Sequence, residues 1–186
     1  MSETPRREFF RQALGRALRP VADFLEKGIP LPSARNYLRP PSAIAEDEFL
    51  NACQRCGKCV EVCPAHCIFP MGGDTPAAGT PVINADDSPC VVCEGLQCTH
   101  VCPSGALLPL LNPRGIHMGM AEVYDALCVR TAGEDCTLCV DRCPIGSVAI
   151  RFNGQGPPEV LDACVGCGVC QFYCPTTPKA IVVRPS

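Results

Sequence analysis

Four stretches of this chain carry four cysteines each, and every one of them closes on Cys-Pro. The first motif is Cys53, Cys56, Cys59 and Cys63, followed by Pro64, with the spacing C-x2-C-x2-C-x3-C-P. The fourth repeats that spacing in Cys164, Cys167, Cys170, Cys174 and Pro175. Between them, Cys90, Cys93, Cys98, Cys102 and Pro103 are lengthened in the middle, and Cys128, Cys136, Cys139, Cys143 and Pro144 at the front. Nothing else constrains the fold as strongly. The chain has 186 residues, 17 of them Cys and none Trp, and at 5% aromatic content it has little bulky apolar material for a core. A disulfide framework has no use for tight C-x2-C pairs in every group, and the cysteine count is odd. A metal centre bound by several thiolates needs such pairs. Such sites are assembled under reducing conditions, and the metal then supplies stability that the apolar core does not.

The spacing of the first and fourth motifs is that of bacterial ferredoxins, in which the last Cys binds the other cluster of a pair. Three thiolates on a tight loop reach three corners of a 4Fe-4S cube, and Gly57, Gly166 and Gly168 let the loop close. The fourth Cys leads away, and the proline after it removes an N–H where the chain turns towards the neighbouring cluster. Zinc also binds C-x2-C pairs but rarely needs a third Cys so close. The two variant motifs keep the C-x3-C-P ending, so all sixteen of these cysteines are expected ligands of four 4Fe-4S clusters. Cys67, the seventeenth, falls at an offset occupied by Ala106 and Ser147 in other repeats and is expected to be a small core residue. His66, His100 and His117 are scattered and read as packing or surface residues. No nucleotide-binding or nucleophile motif is present, so no catalytic residue and no small-molecule substrate are expected. The expectation is an electron-transfer protein, a polyferredoxin, and not an enzyme.

Charge divides the chain. Residues 1–39 carry a net +4 and residues 40–186 a net −7, an acidic body that argues against nucleic acid. Residues 4–28 place Phe10, Leu14, Ala17, Leu18, Val21 and Leu25 on one helical stripe, interrupted by Pro20. The start, with Arg6, Arg7, Phe9 and Phe10, is similar to a twin-arginine export signal. Arg16, Arg19, Asp23, Glu26 and Lys27 then occupy what should be its apolar stretch. The expectation is therefore a basic amphipathic arm with a Pro-rich linker over residues 1–41. The protein is expected to be cytoplasmic, peripheral to the inner face of the membrane through residues 4–28. The alternative is a periplasmic protein exported by a non-standard twin-arginine signal.

The body repeats a unit of about 35–40 residues: a short lead-in, a Cys-rich loop, Cys-Pro and a small apolar run. The exits read CPAHCIF, CPSGALL, CPIGSVAI and CPTTPKAI, and short strands are expected at 148–152 and 180–184.

The segments EDEFLNACQRCGKCVEVCP, SPCVVCEGLQCTHVCPSGAL, MGMAEVYDALC, CTLCVDRCP and DACVGCGVCQFYC resemble the NapG/MauM group, with NapF-type proteins a close second. These are ferredoxin-type accessory proteins of periplasmic nitrate reductase and methylamine dehydrogenase systems. The resemblance covers about residues 40–186 and implies an α+β fold with two ferredoxin-like modules carrying four clusters. It also implies single-electron relay between a membrane quinol-oxidising partner, a quinol dehydrogenase, and a terminal oxidoreductase. A rival reading is an accessory, maturation or redox-sensing protein that binds a partner oxidoreductase. More distant electron-transfer subunits of molybdoenzymes share the C-x2-C-x4-C-x3-C-PSGA form. By similarity to them the motifs are expected to pair in a nested way. Motifs one and four would then form one module (42–84 and 151–186), and motifs two and three the other (85–150). Sequential pairing, one with two and three with four, is the alternative, and the intervals between motifs do not decide between them.

Overall fold

The computed structural model describes residues 37–186, so the helical arm expected over residues 4–28 lies outside the described residues. Regular structure is sparse. The helices are α1 (Glu46–Ala52), α2 (Lys58–Glu61), α3 (Gln97–His100), α4 (Leu138–Asp141) and α5 (Val169–Tyr173). The strands are β1 (Phe69–Pro70), β2 (Pro81–Val82), β3 (Gly119–Val123), β4 (Ile150–Phe152), β5 (Pro158–Val160) and β6 (Ile181–Pro185).

The C-x3-C-P ending accounts for four of the five helices among the described residues. In each motif the third Cys lies within a helix of about one turn: Cys59 in α2, Cys98 in α3, Cys139 in α4 and Cys170 in α5. The fourth Cys immediately precedes proline, whose ring disfavours the helical region for the residue before it, so the helix stops there. Cys174, which caps α5, is already extended (φ −64°, ψ 124°). The remaining helix, α1, has Glu46, Asp47 and Glu48 in its first turn, which suits the positive end of the helix dipole. It buries Phe49 against Ala106 and Leu107.

The strands form three antiparallel pairs, β1 with β2, β4 with β5, and β3 with β6. They assemble two modules of the same plan, in consecutive halves of the described chain. In residues 37–117 the inner pair is β1–β2, and the outer pair is reduced to a bridge between Ala43 and Leu107. In residues 118–186 the inner pair is β4–β5. The outer pair is the five-residue ladder β3–β6, from Gly119 opposite Pro185 to Val123 opposite Ile181. Ala121, Ile181 and Val183 turn inwards in this ladder with the period of two that a half-buried strand requires.

Three expectations change. The nested modules are not what the structure contains: the chain of motif one closes on that of motif two, and motif three's on motif four's, because the outer strands pair within each half. The end of the Pro-rich linker is not a linker. Leu38 pairs with Ile83 and is 2% exposed, and Pro40 and Pro41 are fully buried, so residues 37–41 belong to the first module. The strand expected from Val148 begins at Ile150, after a 3-10 turn over Gly146–Val148. No helix among the described residues is long and apolar enough to cross a membrane.

Candidate metal centres

The sixteen expected ligands gather into four sets of four, each around a cavity. Cys53, Cys56 and Cys59 meet Cys102 at site A, which has a cavity of about 210 Å³. Cys90, Cys93 and Cys98 meet Cys63 at site B. Cys164, Cys167 and Cys170 meet Cys143 at site C. Cys128, Cys136 and Cys139 meet Cys174 at site D. Each set takes three thiols from one motif and the last from the adjacent motif of the same module. This is the exchange that the ferredoxin spacing anticipates, but with the partner motifs next to each other in sequence.

The loops that present these thiols turn alike. The residue before the second Cys of the pair has positive φ in three motifs: Arg55 at 54°, Val92 at 52° and Gly166 at 70°. For Val92 this is a costly conformation, of order 1–3 kcal/mol for a β-branched residue. Gly166 faces a second demand. A Cβ there would stand 2.5 Å from the backbone N and O of Gly119, so β3 can approach this loop only if the residue is glycine. Gly168 (φ +87°) is similarly fixed, since a Cβ would lie 2.6 Å from that of Ala85 in the first module.

The longer spacing of motif three is taken up by a 3-10 turn over Val129–Ala132, pinned by Arg130. The Arg130 guanidinium is buried, stacks on Phe152 at 4.0 Å, and donates to the carbonyls of Gly156, Gly154 and Cys136. Its ion pair with Asp135, at 3.2 Å, leaves that carboxylate 93% exposed.

Protonation follows burial and local donors. Burial pushes the thiols of Cys59 and Cys139 up to about 11 and those of Cys98 and Cys167 up to about 12, with neighbouring cysteines adding to the effect. Loading such sites with iron therefore releases protons. Cys102 and Cys174 go the other way. Burial opposes the shift, but the Ser104 hydroxyl and the N–H groups of Leu107, Ser104 and Ala106 hold Cys102 below its ordinary value. The Thr176 hydroxyl and the N–H groups of Thr176, Ala180 and Ile181 do the same for Cys174. Cys67 is buried, as expected of a core residue, but it is also a neighbour of site B. It hydrogen-bonds Cys90, which raises its own thiol and lowers that of Cys90, and its Sγ lies 3.6 Å from that of Cys63.

The donor set fits 4Fe-4S clusters. Four soft thiolates surround each cavity, with backbone N–H groups directed at sulfur, as from Leu107 to Cys102 Sγ at 3.4 Å. Among the described residues no three His, Cys, Asp or Glu side chains stand close enough to share a single metal ion, whereas a cube separates its thiolates by the width of its iron corners.

The sites follow one another through the molecule. Cys98 of site B feels the charge of Cys59 of site A. The Cys90 N–H donates to the Cys167 carbonyl at 3.0 Å, joining site B to site C across the module boundary. Cys170 of site C feels Cys139 of site D. The same boundary is tied by Gln171, whose Nε2 donates to Asp86 at 2.8 Å and whose Oε1 accepts from the Val183 N–H at 2.7 Å. In sequence Asp86 looks like no more than a turn residue. Ser104, Thr176 and Arg130 were not anticipated either, although a hydroxyl follows Cys-Pro in the second and fourth exits alone.

Residues 52–106 match the family model of a 4Fe-4S dicluster domain, which takes in motifs one and two together. The methylamine utilization ferredoxin-type protein MauM of Methylobacillus flagellatus is 41% identical over 84% of this chain and 71% of its own length. MauM of Methylorubrum extorquens is 39% identical over 80% and 72%. The ferredoxin-type protein NapG of Escherichia coli is 35% identical over 97% and 85%. With relatives of this identity along most of its length, the chain belongs to the MauM and NapG family of ferredoxin-type electron-transfer proteins with a 4Fe-4S domain.

Proposed function

We propose that this protein is a four-cluster relay, carrying single electrons between a membrane quinol-oxidising partner and a redox enzyme. Each of sites A to D would hold one 4Fe-4S cluster through its four thiolates, and a bound cluster supplies one-electron storage. The observation that carries this reading is the succession of four-thiol sites from A to D, with the Cys90 to Cys167 hydrogen bond bridging the modules. The chain's own contribution is to hold the thiolates, aim N–H groups at sulfur and exclude water from the middle of the path. Sites A and D lie at opposite ends of that succession, one in each module. Cys56 of site A is exposed, which suits electron exchange with a docked protein.

The test is anaerobic reduction of the holoprotein with dithionite, followed by mixing with a quinone analogue. The relay predicts full reduction and rapid, complete reoxidation over repeated cycles. Clusters that stay oxidised under dithionite, with the protein still binding an apo-oxidoreductase, would replace it with the accessory or maturation role.

A further inference from the structure

The four sites are chemically unequal in a pattern that the cysteine motifs alone do not encode. From it we infer that clusters in the outer sites, A and D, accept an electron more readily than those in the inner sites, B and C. The inference rests on the relay reading above and deepens it.

One-electron reduction adds negative charge to an already anionic cluster. Cations, hydrogen bonds to the ligand sulfurs and water therefore favour the reduced form, and apolar burial opposes it. Three independent features divide the sites in the same way. The first is charge. Site A is lined by Arg55 and Lys58 against a single acid, Glu61. Site D is lined by the buried Arg130, whose partner Asp135 is screened by water. Among the described residues, the lining of sites B and C includes no charged side chain.

The second feature is hydrogen bonding to the exchanged thiolate. Cys102 Sγ at site A has the Ser104 Oγ at 3.5 Å and the Leu107 N–H at 3.4 Å. At site D, Cys174 Sγ has the Thr176 Oγ1 at 3.2 Å, and because that oxygen accepts from the Ala180 N–H, its own proton is free to point at sulfur. The residues in the same position after Cys63 and Cys143, which serve sites B and C, are Ala65 and Ile145. Cys67 offers site B a thiol donor instead, and S–H is a weak one.

The third feature is water. Three of the four thiols are buried at site B and two at site C, against one at site D and none at site A. The middle of the path is thus the dry, uncharged part. Two electrons entering the protein would rest one at each end, and passing an electron from an outer site to the inner site beside it would be the uphill step.

The experiment is a potentiometric titration of the intact holoprotein, with dithionite as the one-electron reductant, followed by electron paramagnetic resonance. Sites A and D are not neighbours, so the first two electrons should give sharp, uncoupled signals. Broadening from spin–spin coupling should begin only with the third. Ser104→Ala and Thr176→Val keep every ligand, and each should lower the potential of one early-reducing centre. The expected shift is about tenfold in its reduction equilibrium, or about 59 mV for one electron, with the late centres unmoved. Coupled signals already at the second electron, or substitutions that shift only late-reducing centres, would overturn the inference while leaving the relay standing. A protein that takes up no electrons would overturn both.

Discussion

The two modules carry the same exchange of thiols in frames of different strength. In the second, β3 and β6 form a five-residue ladder that buries Ala121, Ile181 and Val183. In the first, the equivalent pairing shrinks to one bridge, Ala43 with Leu107, and the frame is restored by a side chain. Arg39 forms a bidentate pair with Glu46 at 2.7 and 2.9 Å, donates to Thr80 Oγ1 and the Pro81 carbonyl, and stacks on Phe49 at 4.5 Å. A short domain can therefore close its two ends either with a backbone ladder or with one buried arginine. Both frames bring the thiols of the two motifs to shared cavities.

Removing that metal is the strongest way to break the comparison. Chelation of the iron should unfold both modules, a loss of the order of 10 kcal/mol if these sites resemble other structural metal centres. Hydrogen exchange followed during chelation should show residues 37–117 losing protection before the β3–β6 ladder.

Thiol substitutions come next and test the pairing itself. Cys53→Ala and Cys102→Ala should each remove about four irons, and the double variant should remove no more than either alone, since both thiols face one cavity. Nested pairing would instead make Cys53 and Cys174 the non-additive pair.

Arg39→Ala should cost the first module about 3–5 kcal/mol, because it breaks a largely buried ion pair and removes the donor from Thr80 Oγ1 and the Pro81 carbonyl, and should be read as accelerated loss of cluster absorbance on heating. The surface pair Arg151 with Glu159 in the second module should cost less than about 1 kcal/mol by the same measure. Cys67→Ala should leave the iron content unchanged.

The smallest effect belongs to Glu122 on β3. The Arg184 hydrogen bond, and then that of Tyr124, hold its carboxyl below the usual range. A carboxyl lowered in the folded state adds stability above its unfolded value, and that contribution is lost as the pH falls through the folded value. With Glu122 half exposed, Glu122→Gln should cost at most about 0.5 kcal/mol at neutral pH and nothing in acid, read as a shift in midpoint temperature.

The thiol sets were legible because their spacing is local: a tight loop, one helical turn and a proline fix three thiols and send the fourth away. The pairing of motifs was not, since it depends on which short strand meets which. Ala43 and Leu107, or Met120 and Arg184, carry no mark that names a partner, and the intervals between motifs are alike. Arg130 and Arg39 escaped for a related reason. Each looks in sequence like a surface cation beside a turn, and each becomes buried only when carbonyls distant in the chain converge on it. Cys67 was read correctly as buried, but its contact with Cys63 and Cys90 needs the exchange of the fourth thiol to bring site B together.

A relay of this kind requires four clusters that all exchange electrons. Iron, sulfide and electron uptake measured on one anaerobically purified sample test it directly. The prediction is about sixteen irons, about sixteen sulfides and about four electrons taken up reversibly per chain. About eight irons, or sixteen irons with no reversible uptake, would contradict it.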